Sequence, residues 1–287
     1  MKRSFQSVLL CIALFAVPLG GCAEPTGGEA GKKKQPTKQM DGLSAQEIID
    51  TSLTSMEKMK GYHWESLNHQ QYSFRKQPDK NTRVDWKQRI LVTENPVNIQ
   101  AKGSLTVAGE LISETKPQRW YVTDQDEFLF FRNRWYKKEQ SGLGEKMKVY
   151  ADPLWVLRKV GESADVYRVD REGKEAKLTV GLTGKAVEPF IDDRSMRYAS
   201  IPPRKEYSFT GQRMKIRINI DKKTFRLRKV EQAVEFTIDL GKEKVKTRQE
   251  WTHTLQGEAK KITVPEHIRK NARTYPDSEK EETIPTG

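Results

Sequence analysis

Apolar residues first recur at helical spacing, then at every second position, and the change falls at Gly61. Ile49, Leu53 and Met56 lie on one face of a predicted helix over 44–60, with Met59 close to that face. Ser44-Ala45-Gln46-Glu47 before it has the form of a capping box, and Leu43 is placed to staple onto Ile48. After Gly61 the period is two. Val84, Trp86, Ile90 and Val92 alternate with Arg83, Asp85, Lys87 and Arg89, which point the other way. Beyond Asn95-Pro96, Val97, Ile99, Ala101, Gly103, Leu105 and Val107 alternate with polar residues without a break. Short aromatic hairpins follow at 120–122, 128–131 and 135–136, separated by turns at 124–127 and at Asn133-Arg134.

A second helix is predicted from Asp152-Pro153, with Asp152 as N-cap and Pro153 at the first helical position. Strands resume at 166–169 and 178–182. Between Thr183 and Gln212 the prolines Pro189, Pro202 and Pro203 interrupt any period, with a short helix weighed near 186–191. Met214, Ile216, Ile218 and Ile220 form the next alternation. The long strand over 225–240 shifts its apolar phase between Leu227 and Val230, which predicts a bulge. A strand over 245–255 pairs back through Gly241-Lys242, and Ile262-Thr263-Val264-Pro265 is read as the closing element.

Many strands without helical crossovers predict a mainly β, α+β chain with a single antiparallel sheet of roughly ten strands. A sheet that wide curls, and the helices are available to fill its concave side. The alternative is two β subdomains meeting near Gln140 to Tyr150.

The N-terminus adds an address. Lys2 and Arg3, an apolar run from Val8 to Leu19, and Leu19-Gly20-Gly21-Cys22 form a lipoprotein export signal. This predicts a signal peptide over 1–21, removed before Cys22, whose thiol carries the lipid anchor; each buried methylene adds about 0.8 kcal/mol of membrane affinity. The expected location is the extracytoplasmic face of the cell membrane. Residues 22–42, rich in Gly, Pro, Lys and Gln, then form a flexible tether. Lys32, Lys33 and Lys34 within it either reach anionic headgroups or keep the tether soluble. The folded domain spans 43–270 and a polar tail 271–287.

Composition narrows the chemistry. The 287 residues include 52 Lys+Arg against 39 Asp+Glu, a net charge of +13 that suits an anionic membrane or wall polymer. Nucleic acid is set aside, because no RNA-binding signature is present and an exported protein meets little of it. The only cysteines are Cys11, inside the signal, and Cys22, so the mature chain has no disulfide and no cysteine nucleophile. His63, His69, His253 and His267 make no metal-binding spacing, and no metal or cofactor is expected. Ser55-Met56-Glu57-Lys58 has the S-x-x-K form without the partner motifs of serine enzymes, and the residues 27–33 fail as a phosphate loop in spacing and context. Asp192-Asp193 suits a cation or a solvated turn; hydrolysis of a wall polymer assisted by this pair ranks third among the readings. With no nucleophile paired to a base, the chain is read as a non-enzyme.

The lipobox, tether, first helix, the hairpins ending in Trp135-Tyr136-Lys137, the Asp152-Pro153-Leu154 helix start, the strand pair around Ile220-Asp221-Lys222-Lys223-Thr224 and Ile262-Thr263-Val264-Pro265 together resemble the LolA-like superfamily with its LppX/LprG-type lipoproteins. The resemblance covers about 44–270. It implies a half-barrel with helices lying in its mouth around an apolar cavity, and a carrier of lipid or another hydrophobic ligand. Relatives of the RseB and GerS kind imply the alternative, a regulatory module that binds an envelope protein. The long 183–212 region departs from compact carriers and is either a lid or an insertion. Cavity candidates are Trp64, Trp86, Trp120, Phe128, Phe130, Trp135, Trp155 and Trp251, with Ile49, Leu53 and Met56 on the helix that acts as plug.

Overall fold

The computed structural model describes residues 40–94, 96–110, 113–131, 133–139, 152–163, 167–202, 206–259 and 261–274. The expected signal, Cys22, Lys32, Lys33, Lys34, most of the tether and the tail beyond 274 lie outside the described residues. None of the described helices is long and apolar enough to cross a membrane.

Twelve strands form one open, curved sheet. They are β1 (Gly61–Phe74), β2 (Thr82–Glu94), β3 (Val97–Gly109), β4 (Ser113–Val122), β5 (Asp126–Phe131), β6 (Arg134–Glu139), β7 (Tyr167–Asp170), β8 (Glu175–Thr183), β9 (Ser208–Asp221), β10 (Leu227–Asp239), β11 (Lys244–Glu258) and β12 (Arg273–Thr274). Their spatial order is β12-β6-β5-β4-β3-β2-β1-β11-β10-β9-β8-β7, antiparallel throughout except for the short parallel β12–β6 pair. The sheet is thus two meanders, β1 to β6 and β7 to β11, joined along β1 and β11. Their register runs from Tyr62↔Glu258 to Phe74↔Val245. That seam decides the alternative raised by the sequence: the two β halves are one hydrogen-bonded sheet.

Strand alternation then sorts the residues. Tyr62, Trp64 and Tyr72 of β1, Ile90 and Val92 of β2, Ile99 and Leu105 of β3, Ile216, Ile218 and Ile220 of β9, and Val230 and Val234 of β10 share the inner face, all buried. The expected phase slip in β10 is a register irregularity between Leu227 and Lys229. It lets Leu227 and Val230, three apart, both enter the core.

The inner face is covered by helix α1 (Ala45–Glu57), helix α2 (Pro153–Ser163) and two 3-10 turns at Gly184–Phe190 and Met196–Ala199. Helix α1 starts where Ser44 Oγ accepts from Glu47 N and the Glu47 carboxylate accepts from Ser44 N, a complete capping box. Ile48, Ile49 and Met56 are fully buried, and Leu53 packs at the margin. Helix α2 begins with Asp152 Oδ1 accepting from Leu154 N at 2.9 Å. It adds Leu154, Leu157 and Val160 to the same core.

Residues 262–265 form no strand; Ile262, Val264 and Ile268 instead pack with Tyr121 and Phe128 as a separate cluster. Tyr121 and Phe128 are cross-strand partners of opposite parity to inner-facing Trp120 and Val122, so this cluster lies on the outer face. Helix α3 (Glu266–Asn271) therefore sits outside the half-barrel, and among the described α-helices α1 and α2 are the ones that fill its mouth.

Strands β2 and β3 approach closely at Gly103, opposite Gln88. A Cβ there would lie 1.9 Å from Lys87 O, a backbone atom that cannot step aside. Gly103→Ala is expected to destabilise the protein by on the order of 3 kcal/mol in urea unfolding. Gly181→Ala, in β8 with nothing within 4 Å of the added carbon, is the matched control and should change stability by less than about 1 kcal/mol.

Candidate functional site

The middle of the inner face is polar, which alternation alone does not predict. Ser66, Asn68 and Gln70 on β1, Gln232 on β10, and Thr247, Gln249 and His253 on β11 are all buried. Asn68 faces Trp86 on one side and Trp251 on the other, and Gln70 faces Gln249 across the seam. Two uses of this stripe can be distinguished.

The first is a clamp. The Gln249 side-chain amide donates to Asp192 O at 2.8 Å and accepts from Asp192 N at 3.0 Å, the pair of bonds a neighbouring strand would have made. Gln249 Nε2 also donates to Gln70 Oε1 at 3.0 Å, and Gln70 Oε1 further accepts from the hydroxyls of Tyr72 and Ser195. The irregular stretch between β8 and β9 is thereby bolted across the sheet. Within it the two neighbouring carboxylates diverge. Asp192 is buried and holds the Arg194 guanidinium through Nε at 3.0 Å, whereas Asp193 is exposed. They are not a paired site.

The second is a cavity of about 40 Å³ between α2, residues 189–194, β10 and β11, lined by Asp152, Trp155, Phe190, Arg194, Trp251 and His253 among others. That is room for about three water molecules. Trp155 meets Phe190 edge to face at 5.4 Å, and the Arg194 guanidinium lies 5.6 Å from the centre of the Trp86 ring. Asp152 Oδ2 and His253 Nδ1, both in its wall, have no hydrogen-bond partner, nor do Trp86 Nε1 and Asn68 Oδ1 in the polar stripe. The Tyr62 hydroxyl, beside both Asp152 and Glu94, spends its one proton on Glu94 Oε1 at 2.6 Å. These groups can hold water or a small polar molecule. Among the described residues, no group of His, Cys, Asp and Glu has metal-binding geometry.

The aromatic candidates separate by face. Trp64, Trp86, Trp120, Trp155 and Trp251 belong to the inner core, and of these Trp155 and Trp251 line the cavity. Phe128, Phe130 and Trp135 lie on the outer face, Phe128 in the outer cluster and Phe130 5.2 Å from Trp135. Ile49, Leu53 and Met56 lie together on the covered face of α1. His63 and His69 lie half-buried on outer positions of β1, where His69 meets Asp85 at 2.5 Å, and His267 is exposed. The clamp was not recognised from sequence, because Gln70 and Gln249 look like solvent-facing members of alternating strands.

Burial pushes the Asp152 carboxyl from its ordinary 3.8 up to about 6 and the His253 imidazole from 6.5 down to about 4. The raised carboxyl contributes stability that is full below about pH 4 and is lost as pH rises through 6. The depressed imidazole contributes stability present above about pH 6.5 and lost as pH falls through 4. Over pH 4 to 6 the two slopes oppose, each worth on the order of 3 kcal/mol across its window. Urea titrations are therefore expected to show Asp152→Asn losing about that much on acidification to pH 4, and His253→Gln gaining a similar amount. Gln249→Leu, which strands the Asp192 N–H and C=O, should destabilise by about 3 kcal/mol and open 184–201 to amide exchange before the rest of the sheet.

Comparisons place the chain as follows. No curated protein matches it. Among solved structures it is similar to LprF from Mycobacterium bovis, at 15% identity over 77% of this chain and 95% of that one, with a TM-score of 0.37. It is also similar to a beta-barrel-like protein of domain of unknown function DUF1849 from Brucella abortus, at 9% identity over 68% and 97%, with a TM-score of 0.21. A family model matches residues 44–273, from the cap of α1 to the start of β12, and the chain belongs to that family, DUF6612, a family of unknown function.

Proposed function

We propose that the protein is a non-enzymatic binding module of the cell envelope, held at the extracytoplasmic face of the membrane by acyl groups on Cys22, whose half-barrel takes up a hydrophobic ligand by displacing its own plug. A lipid is the fitting ligand class. One observation carries this reading: the inner face of the open sheet is covered by separate elements, α1, α2 and the turns of 184–199, rather than by a second sheet.

The elements are held differently. Residues 191–196 are bolted by buried hydrogen bonds, which a lipid cannot replace. Helix α1 rests on apolar contacts of Ile48, Ile49 and Met56, with Ser55 Oγ donating to Thr224 O at 2.7 Å as a tie to the β9–β10 turn. Apolar contact is non-directional, so an acyl chain can take the place of these side chains at similar free energy. Movement of α1 is required, because small-molecule sites run to about 300–1,000 Å³ and the cavity is about 40 Å³. The same small volume, with the polar floor of Ser66, Asn68 and Gln70, favours a second reading, the filled regulatory module that binds an envelope protein.

The chain beginning at Ala23 contains no cysteine and is suited to both tests. Purified without detergent, it is expected to carry a lipid adduct in native mass spectrometry, confirmed by organic extraction. A Cβ at Gly161 of α2 would lie 3.3 Å from Ile49 Cγ2 of α1, so Ile49→Cys with Gly161→Cys can form a disulfide. Oxidation should abolish uptake of a fluorescent fatty acid and reduction should restore it. No adduct and no uptake in the unmodified protein, together with a protein partner recovered by crosslinking, would replace the carrier by the regulatory module.

A further inference from the structure

On the outer face, β2, β3 and β4 place like charges directly opposite one another. Lys102 of β3 is in register with Arg89 of β2 on one side and with Arg119 of β4 on the other. All three are exposed, as is Lys87, the next outer residue of β2. Antiparallel partners stand about 4.5–5.5 Å apart at Cα, so the row packs three cations into roughly 10 Å. Such pairs destabilise a sheet. Elsewhere on this face Arg83 is neutralised by Asp85, Arg213 by Glu235, and Arg248 by Glu235 and Glu250, and the exposed Lys177, Lys215 and Arg217 have no cation in register with them. Lys87, Arg89, Lys102 and Arg119 enter no such pair among the described residues.

The row has an apolar margin. Arg119 is in register with Phe130 and lies over its ring at 5.3 Å, and Phe130 is in register with half-buried Trp135. At the other end Leu67, in register with Lys87, is 46% exposed, the most exposed large apolar side chain described.

We propose that this outer row is a docking surface for anionic lipid headgroups, a second contact with the membrane beside the acyl anchor. Arg89 alone has a carboxylate in register, Glu65 of β1, and phosphate groups supply the rest of the charge that the strands lack. The flanking Leu67, Phe130 and Trp135 favour a bilayer surface over a soluble polyanion, because aromatic and apolar side chains gain at the headgroup level and gain nothing from a hydrated polymer. The contact draws on the reading of Cys22 as a lipid anchor for its place in the cell, and not on any ligand of the half-barrel.

The test uses the chain from residue 22 onward with Cys22→Ser, which retains every described residue and the lysine-rich tether. It should sediment with vesicles of phosphatidylcholine and phosphatidylglycerol at 3:1 in low salt, and not with phosphatidylcholine alone. Arg89→Gln/Lys102→Gln/Arg119→Gln should weaken binding by about fivefold per charge, roughly a hundredfold in all. It should also unfold at the same temperature as the parent or higher, since the opposed charges are gone. Lys177→Gln/Lys215→Gln/Arg217→Gln removes the same charge from exposed outer positions of β8 and β9 and should leave binding within about threefold. Equal losses from the two triple variants would overturn the proposal in favour of net charge alone. Binding to soluble polyphosphate with none to the vesicles would assign the row to a polymer instead. The anchor is read separately, from the acylated mass of Cys22 in the full chain, so failure of one leaves the other standing.

Discussion

The structure depends on the seam between β1 and β11. Each meander is short of partners alone: β1 to β6 ends in an unpaired β1, and β7 to β11 ends in an unpaired β11. Pairing these two long strands makes one sheet wide enough to curve, and the curve creates an inner face that helices can cover. The polar stripe lies along this seam. Gln70 and Gln249 meet across it and point inward, where an uninterrupted apolar floor would otherwise be expected. Their amides hold the backbone of Asp192, so the seam that builds the sheet also fixes what lies on it.

This arrangement gives the covering elements unequal standing. Buried amides without partners are penalised heavily, so the Gln249 bonds keep the 191–196 stretch in place in any state where water is excluded. Helix α1 is tied to the sheet by the exposed Ser55–Thr224 hydrogen bond and rests otherwise on the apolar contacts of Ile48, Ile49 and Met56. The half-barrel thus has one wall held by directional bonds and one held by apolar contact, the difference on which the proposed role of α1 as a plug rests.

Much of this was legible in the sequence. The Ser44 to Glu47 box, the Asp152-Pro153 helix start, the turn residues between hairpins and the phase slip between Leu227 and Val230 are local signals, and local geometry obeyed them. Period-two alternation gave the strands but only the parity of each residue, not which parity faces inward. That is why Phe128, Phe130 and Trp135 were grouped with Trp155 and Trp251 although they lie on opposite faces. The sequence leaves strand β1 without bounds, because its inner set includes Ser66, Asn68 and Gln70 and lacks apolar contrast. The partners of those residues are on β11 and in the 183–212 region, more than a hundred residues away, and no local pattern encodes them. Residues 262–265 show the complementary limit: apolar alternation marks a buried segment, and here burial comes from packing on the outer face without a ladder.

The seam also orders the folding of the chain. Every other antiparallel pairing joins strands that follow one another along the chain, so each meander can zip from its own turns. The β1–β11 pairing alone must close a loop of about two hundred residues, and the entropy of that closure makes it slow. Until it closes, the chain carries two long exposed edges, the usual template for strand exchange between molecules. Serine, threonine, asparagine and glutamine along β1 and β11 keep those edges poor in the apolar side chains that make such exchange sticky. The stripe that looks like a defect in the finished core is, for the unfinished one, protection against aggregation.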